Sequence, residues 1–188
     1  MNSLFPIFLK LEQLQVLIVG GGYVGLEKLT AVLANAPKTQ ITLIAPEIRD
    51  EIRILAVTHP HMVLIEATYQ SLFLENKDLV IVGTNDKVVN IQVQKDCKVR
   101  HLLVNVADTP DLCDFYLGSV VRKGDLKIAI STNGKSPTFA KRFREVLEEI
   151  LPESLQETLD NLQQIRKKLK GDFQEKLTKL NEITSVMK

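Results

Sequence analysis

The stretch Val16-Leu17-Ile18-Val19-Gly20-Gly21-Gly22-Tyr23-Val24-Gly25 decides the fold. A short apolar, β-branched run ends in three glycines, and Val24, Leu29, Val32 and Leu33 follow at roughly helical spacing. That is the form of the first strand, turn and helix of a dinucleotide-binding unit. Gly20 lets the chain leave the strand in a tight turn. Gly22 has no side chain to keep a pyrophosphate off the backbone. Gly25 lets the helix pack close to the sheet. The free amides at the helix start, with the helix dipole, attract phosphate charge. Glycines alone also make a plain strand–helix turn. The strand before them and the amphipathic helix after them supply the context that the nucleotide reading requires.

Working outward, residues 1–15 form a lead-in in which Leu4, Phe5, Ile7, Phe8 and Leu11 are expected to cover a core edge. The first strand is expected at 15–19 and the first helix from Tyr23 to about Asn35, where Ala36-Pro37 stops it. Ile41-Thr42-Leu43-Ile44 reads as a second strand closed by Ala45-Pro46, and 47–57 as a second helix. Further strands are expected at Met62–Glu66, Leu79–Val82 and Leu102–Val106, with a helix at Asp86–Asp96. Strands alternating with helices predict an α/β fold with a parallel sheet.

In such units an acid about 20 residues beyond the glycines holds the ribose hydroxyls. Ala45-Pro46 stands near that position, and Glu47 comes slightly late. Glu47 either reaches the ribose or favours the start of the next helix through its dipole, so this residue does not decide NAD against NADP.

After Val106 the pattern changes. Residues 107–115 read as a polar turn stopped by Pro110, and the strand-like runs Tyr116–Val121 and Leu126–Ser131 are joined by Arg122-Lys123-Gly124-Asp125, a hairpin signal. An isolated hairpin is marginal in water and needs something to pair with; a second subunit is a natural candidate. Ser131-Thr132-Asn133-Gly134-Lys135-Ser136-Pro137 then places Ser136 as a cap and Pro137 in the first turn of a helix to residue 150. This hydroxyl-rich loop suits an anion, although capping needs only Ser136. Lys141, Arg142 and Arg144 either face a polycarboxylate or form a solvated face. From 153 to 188, leucines and isoleucines at spacings of three and four predict one or two amphipathic helices, with Gly171 as the break point.

The chain of 188 residues is long enough to bury a real core, and 45% hydrophobic with 25% charged residues is ordinary for a globular protein. A net charge of +1 gives no case for nucleic acid or an acidic membrane surface. Cys97 and Cys113 make no disulfide framework and suit a reducing compartment. The N-terminus lacks the pattern of a signal peptide and no apolar run is long enough to span a bilayer, so a cytoplasmic, unanchored protein is expected. His59, His61 and His101 are scattered, with His59-Pro60-His61 expected in a surface turn, and the cysteines lack metal-ligand spacing; no metal site is expected.

Taken in order, Val19-Gly20-Gly21-Gly22, Thr84-Asn85-Asp86, Asn105-Val106-Ala107-Asp108 with Pro110, Leu112-Cys113 and Phe115, and then Ser131-Thr132-Asn133-Gly134-Lys135-Ser136-Pro137 resemble the precorrin-2 dehydrogenase family. This is the NAD-dependent module of siroheme synthesis, and some members are also sirohydrochlorin ferrochelatases. The resemblance covers nearly the whole chain. It implies oxidation of precorrin-2 to sirohydrochlorin with NAD as cofactor, in a homodimer. It also implies a Rossmann-type domain over 1–112, a dimerisation region over 113–150 and a C-terminal helical region over 151–188.

The family's key carboxylate matches Asp108, just beyond a strand end, where open α/β sheets bind ligands. A carboxylate there can take a proton as the ring system is oxidised; read without the family, Asp108 caps the Thr109-Pro110 turn. Cofactor contacts map to the glycine loop (Gly20, Gly22, Tyr23, Val24, Gly25), to Pro46 and Glu47, and to Thr84. Asn105, Thr132 and Ser136 map to substrate contacts, Thr132 matching a family serine. Glu27 replaces a usual Arg, Asn133-Gly134 a Gly-Gly pair and Gly118-Ser119 a Pro-Ser pair. A non-catalytic NAD-sensing module is the alternative; it has no need of the Asp108 segment or the 131–137 loop.

Overall fold

The computed structural model describes residues 2–185. They form two compact units, one spanning Phe5–Leu117, the other the chain from Gly118 onward with the N-terminal residues through Leu4.

In the first unit, β1 (Gln15–Val19), β2 (Gln40–Ala45), β3 (Met62–Glu66), β4 (Leu79–Val82) and β5 (Leu103–Val106) make one sheet in the order β3-β2-β1-β4-β5. Every neighbouring pair is parallel. The helices α1 (Tyr23–Asn35), α2 (Asp50–Thr58) and α3 (Lys87–Val99) make three of the four crossovers, and the connection from β3 to β4 carries only a 3-10 turn at Ser71–Leu74. Because both faces are covered, the central strands are apolar throughout: Val16, Leu17 and Ile18 are all fully buried. Alternation splits them between two cores. Val16 and Ile18 pack with Leu29, Val32, Leu33 and Ile52 of α1 and α2, whereas Leu17 and Val19 pack with Val93 and Cys97 of α3. The chain runs from β1 out to β3, then crosses back to place β4 on the other side of β1. The order therefore reverses between β1 and β4, and the crevice of such a sheet opens at the carboxyl ends of those strands.

The expected strands and α1 stand where the sequence placed them, to within a residue or two. The helix expected over 47–57 begins only at Asp50. Residues 46–49 instead dock on the glycine loop, with the Arg49 amide donating to the Gly21 carbonyl at 3.1 Å and Ile48 buried in the core. α3 runs on to Val99, begun by Asp86, whose carboxylate accepts from the Val88 and Val89 amides. His59-Pro60-His61 does form a turn. The lead-in differs from expectation. Leu11 packs on the first core and Leu4 is half-buried, but Phe5, Ile7 and Phe8 are exposed. Residues 2–10 form no regular element, and an apolar pattern without an element to seat it covers nothing.

In the second unit, β6 (Ser119–Lys123) and β7 (Leu126–Ile130) form an antiparallel two-stranded sheet. β6 starts later than the expected Tyr116, β7 starts at Leu126 as expected, and the turn is tighter than the sequence suggested: Arg122 and Lys123 pair in the ladder, and Gly124-Asp125 alone make the bend, with Gly124 at φ 58°. α4 (Pro137–Ile150) packs against β6 and starts at Ser136, whose hydroxyl accepts from the Phe139 amide at 3.1 Å. α5 (Leu155–Lys168) and α6 (Phe173–Thr184) follow. The break falls at Gly171, φ 112°, after which Asp172 and Glu175 form a reciprocal capping box. Residues 186–188, the end of the expected amphipathic segment, lie outside the described residues. The fold is thus a Rossmann-type parallel sheet, a β-hairpin and a C-terminal helical region. Among the described residues no helix is long and apolar enough to cross a membrane.

Candidate functional site

The carboxyl ends of β1 and β4 meet backbone on backbone. Gly20 has φ 122°, and a Cβ there would sit 2.5 Å from the Gly83 carbonyl oxygen. A Cβ on Gly25 would lie 2.1 Å from the Gly20 carbonyl oxygen, and one on Gly83 would lie 2.9 Å from the Gly25 nitrogen. No side chain fits between these segments, so the N-terminus of α1 is held tightly over the strand ends. Gly22 is the opposite case. It is exposed, it precedes α1 directly, and a Cβ there would meet nothing within 4 Å. The loop therefore presents an open cradle at a helix N-terminus, the environment that a pyrophosphate needs. Tyr23 is exposed and Val24 half-buried on the first turn behind it.

Two neighbouring loops frame that cradle. After β4, Thr84 sits with its amide beside Gly20, while its hydroxyl donates to Asn90 Oδ1 at 2.6 Å and accepts from the Asp86 amide at 3.1 Å. Thr84 thus offers backbone rather than side chain to a ligand. After β2, Pro46 and Glu47 are exposed. Asp50 and Glu51 occupy the first turn of α2, so Glu47 stands ahead of the helix rather than in it. Gly21, to which the sequence assigned no separate role, is what admits this loop: a Cβ there would lie 2.3 Å from the Glu47 carbonyl oxygen. Arg49 lies over the Tyr23 ring, 3.6 Å from guanidinium carbon to centroid. Its Nη2 donates to Glu51 at 2.5 Å, and that bond holds the Glu51 carboxyl below the usual carboxylate range. Gly83 and Arg49 were also missed. Gly83 had a readable signal, a glycine directly after a β-branched run, as at Val19-Gly20.

Asp108 stands two residues past β5, on the same edge of the sheet as the glycine loop, with β4 between them. The Ala107 amide donates to Val82 O at 2.9 Å, which ties the turn to the end of β4. Asp108 is exposed and adopts φ 56°, a conformation that Asp tolerates better than most residues. Its carboxylate accepts no hydrogen bond among the described residues; the turn is closed instead by Thr109, whose hydroxyl donates to Ala107 O at 3.2 Å.

Cys113 braces the same turn. Its sulfur accepts from the Val106 amide at 3.2 Å and lies 3.1 Å from Val106 O and 3.3 Å from Thr109 O, and burial pushes its thiol pKa up. Asn105 is buried on β5, and its side-chain amide donates to Phe115 O at 2.8 Å. That geometry makes Asn105 a strut beneath the 113–115 segment. Asp114 completes the strut, accepting from the Val104 amide at 3.1 Å and pairing with Lys98.

In the second unit the Thr132 hydroxyl accepts from the Ser136 amide at 3.1 Å. Both hydroxyls, Thr132 and Ser136, keep their protons free to donate. Ser131, Thr132, Asn133, Lys135 and Asn2 line a cleft of about 280 Å³. Arg142 is exposed and pairs with Glu145 along α4, which favours the solvated-face reading for it, whereas Arg144 is half-buried, 3.9 Å from Glu148. Among the described residues no group of three or more His, Cys, Asp or Glu side chains is placed to hold a metal.

A parallel sheet with a switch point at a glycine cradle, framed by Tyr23, the β2–α2 loop and Thr84, defines a Rossmann-type dinucleotide-binding protein. Residues 7–119 match the family model described as "Putative NAD(P)-binding", and the chain belongs to that family. Residues 123–150 match a second model, the sirohaem biosynthesis protein central region. The chain is 43% identical over 153 residues to a siroheme synthase of Psychrobacter sp. (strain PRwf-1), covering 81% of this chain and 31% of that protein. It is 37% identical over 180 residues to the siroheme synthase of Psychrobacter arcticus, covering 96% and 31%. It therefore spans about a third of the length of these relatives. Among solved structures, SirC, a precorrin-2 dehydrogenase, superposes with a TM-score of 0.77 at 26% identity, covering 96% of this chain and 89% of that one. The family model and the likeness to SirC support NAD as the cofactor.

Proposed function

We propose that this protein oxidises precorrin-2 to sirohydrochlorin with NAD, as one step of siroheme biosynthesis. One observation carries the reading. An exposed carboxylate with no hydrogen-bond partner among the described residues, Asp108, is held in a left-handed turn on the same sheet edge as an open pyrophosphate cradle. A capping residue would spend its carboxylate on the turn, and this one does not. The likeness to SirC and to the siroheme synthases supplies the substrate class.

Oxidation of the macrocycle removes a hydride and a proton. NAD, when bound, supplies the hydride acceptor. The backbone at Gly20, Gly22 and Gly25 and the amides of the first turn of α1, including Tyr23 and Val24, hold the pyrophosphate. Pro46, Glu47 and Thr84 border the rest of the nucleotide. Asp108 is the base that takes the proton at its carboxylate oxygen, and Asn105 and Cys113 keep it in position. Thr132 and Ser136 donate their free hydroxyl protons to carboxylates of the tetrapyrrole, beside the charge of Lys135. The enzyme works in the cytoplasm as a homodimer, joined through the hairpin and α4.

The test is anaerobic incubation of the protein with precorrin-2 and NAD, following NADH and sirohydrochlorin by absorbance. The two signals are expected to rise together. Folded protein that binds NAD but turns nothing over would overturn the proposal in favour of a nucleotide-sensing module.

A further inference from the structure

The cleft at the loop before α4 is built partly from the other end of the chain. Asn2 lines it together with Ser131, Thr132, Asn133 and Lys135, all within one compact unit. A local turn shapes the chain there: Asn2 Oδ1 accepts from the Leu4 amide at 3.1 Å, and Leu4 is half-buried.

The polar groups of this cleft are spent in one sense only. Ser131 Oγ accepts from the Asn133 amide at 3.2 Å, and Thr132 Oγ1 accepts from the Ser136 amide at 3.1 Å. Asn2 Oδ1 is taken by Leu4. Among the described residues neither hydroxyl donates its proton, Asn2 Nδ2 has no acceptor and Lys135 has no ion pair. No Asp or Glu among them lines the cleft. A ligand therefore meets donors and one positive charge, a set that an anionic acceptor satisfies and a cation does not. The volume of about 280 Å³ is more than one carboxylate fills.

We propose that this cleft receives a neighbouring pair of carboxylate arms of the tetrapyrrole, and that Asn2 is the substrate-binding residue that completes it. Each ring of the proposed substrate carries an acetate beside a propionate, so that the carboxylates arrive in pairs. Asn2 Nδ2 donates to one arm, and the Ser131 and Thr132 hydroxyls with the Lys135 ammonium take the other. The cleft thereby selects a macrocycle with free acids over an esterified one. This inference rests on the tetrapyrrole reading for its substrate, and on the donors of the cleft for its chemistry.

Asn2→Asp is the informative change. Aspartate keeps the oxygen that accepts from the Leu4 amide and replaces the Nδ2 donor with negative charge, so a residue that only shapes the turn would not register it. The KM for precorrin-2 should rise roughly 10- to 100-fold, as expected for a lost charge-assisted hydrogen bond, while kcat and the melting temperature hold. Asn2→Ala, which removes the donor without adding charge, should fall between wild type and Asn2→Asp. A KM for Asn2→Asp within about twofold of wild type would overturn the inference. A second measurement needs no tetrapyrrole: the nitrogen-15-labelled full chain is titrated with glutarate, a small dicarboxylate. The backbone amide signals of Asn133 and Lys135 should shift in wild type, but not in Asn2→Asp and not with dimethyl glutarate. Absence of that shift in wild type would also overturn the inference. A wild-type protein that responds to glutarate but turns over no precorrin-2 would refute the proposed activity and leave the carboxylate cleft standing. Turnover with an unmoved KM and no glutarate response would do the reverse.

Discussion

Adding one methyl group at Gly22 and at Gly25 should have different consequences. At Gly25 the new carbon overlaps backbone 2.1 Å away, which no side-chain rotation relieves. Gly25→Ala should cost about 2–3 kcal/mol in urea melts and weaken NAD binding with it. At Gly22 the space is empty and the backbone angles suit alanine. Gly22→Ala should cost under about 1 kcal/mol, the loss of a glycine cap, yet lower NAD affinity by roughly tenfold or more, because the methyl stands where the pyrophosphate approaches. Asp108 calls for Asn rather than Ala as its test, since φ 56° is open to Asn. Asp108→Asn should leave the melting temperature unchanged and reduce precorrin-2 oxidation by about 10²–10⁴-fold, the contribution of a general base. At this scale the tight turn at Gly20 and the close packing at Gly25 were legible, because the φ of 122° at Gly20 and the approach of Gly25 to the Gly20 carbonyl arise within a few residues. The roles of Gly21 and Gly83 were not, since the atoms that exclude a side chain there come from other loops.

On the crossover helix α3 a buried thiol makes stability depend on pH in the alkaline range. Cys97 is fully buried against the sheet, and burial pushes its thiol up to about 12 from an ordinary value near 9. Tyr69, which donates to Asp96 Oδ2 at 2.9 Å on the same helix, is also pushed up by burial. Below pH 9 both folded and unfolded chains hold the Cys97 proton, so its contribution is fully present. From pH 9 to about 12 the unfolded chain gives up the proton while the folded chain keeps it, and stability falls. Thermal melts at rising pH should show that slope, and Cys97→Ala should flatten it, whatever it does to the starting stability. Element type was legible from periodicity; element ends were less so. α2 begins at Asp50 because residues 46–49 are drawn onto Gly21, a long-range contact that no helix propensity records.

At the scale of the whole molecule, the second unit exposes what a monomer would hide. Phe139, Phe143, Val146 and Ile150 form an exposed stripe at helical spacing on α4, with the two phenylalanine rings stacked 5.9 Å apart. The hairpin beside it has only two strands. Sedimentation velocity should find a dimer. The double substitution Phe139→Glu and Phe143→Glu should give a monomer with an unchanged far-ultraviolet spectrum, because neither ring is in the core; persistence of the dimer would move the interface elsewhere. By itself the sequence determined the five strands of the parallel sheet, the glycine turn, the Ser136-capped start of α4 and the position of Asp108 beyond a strand end. All of these follow from period, chirality and sterics over a few residues. Only the tertiary structure decided that Cys113 and Asn105 brace the Asp108 turn, that Arg49 lies on Tyr23, and that Phe5, Ile7 and Phe8 cover no core. Those outcomes depend on which remote segments come into contact, and burial and pairing are properties of the assembled packing rather than of any stretch of chain.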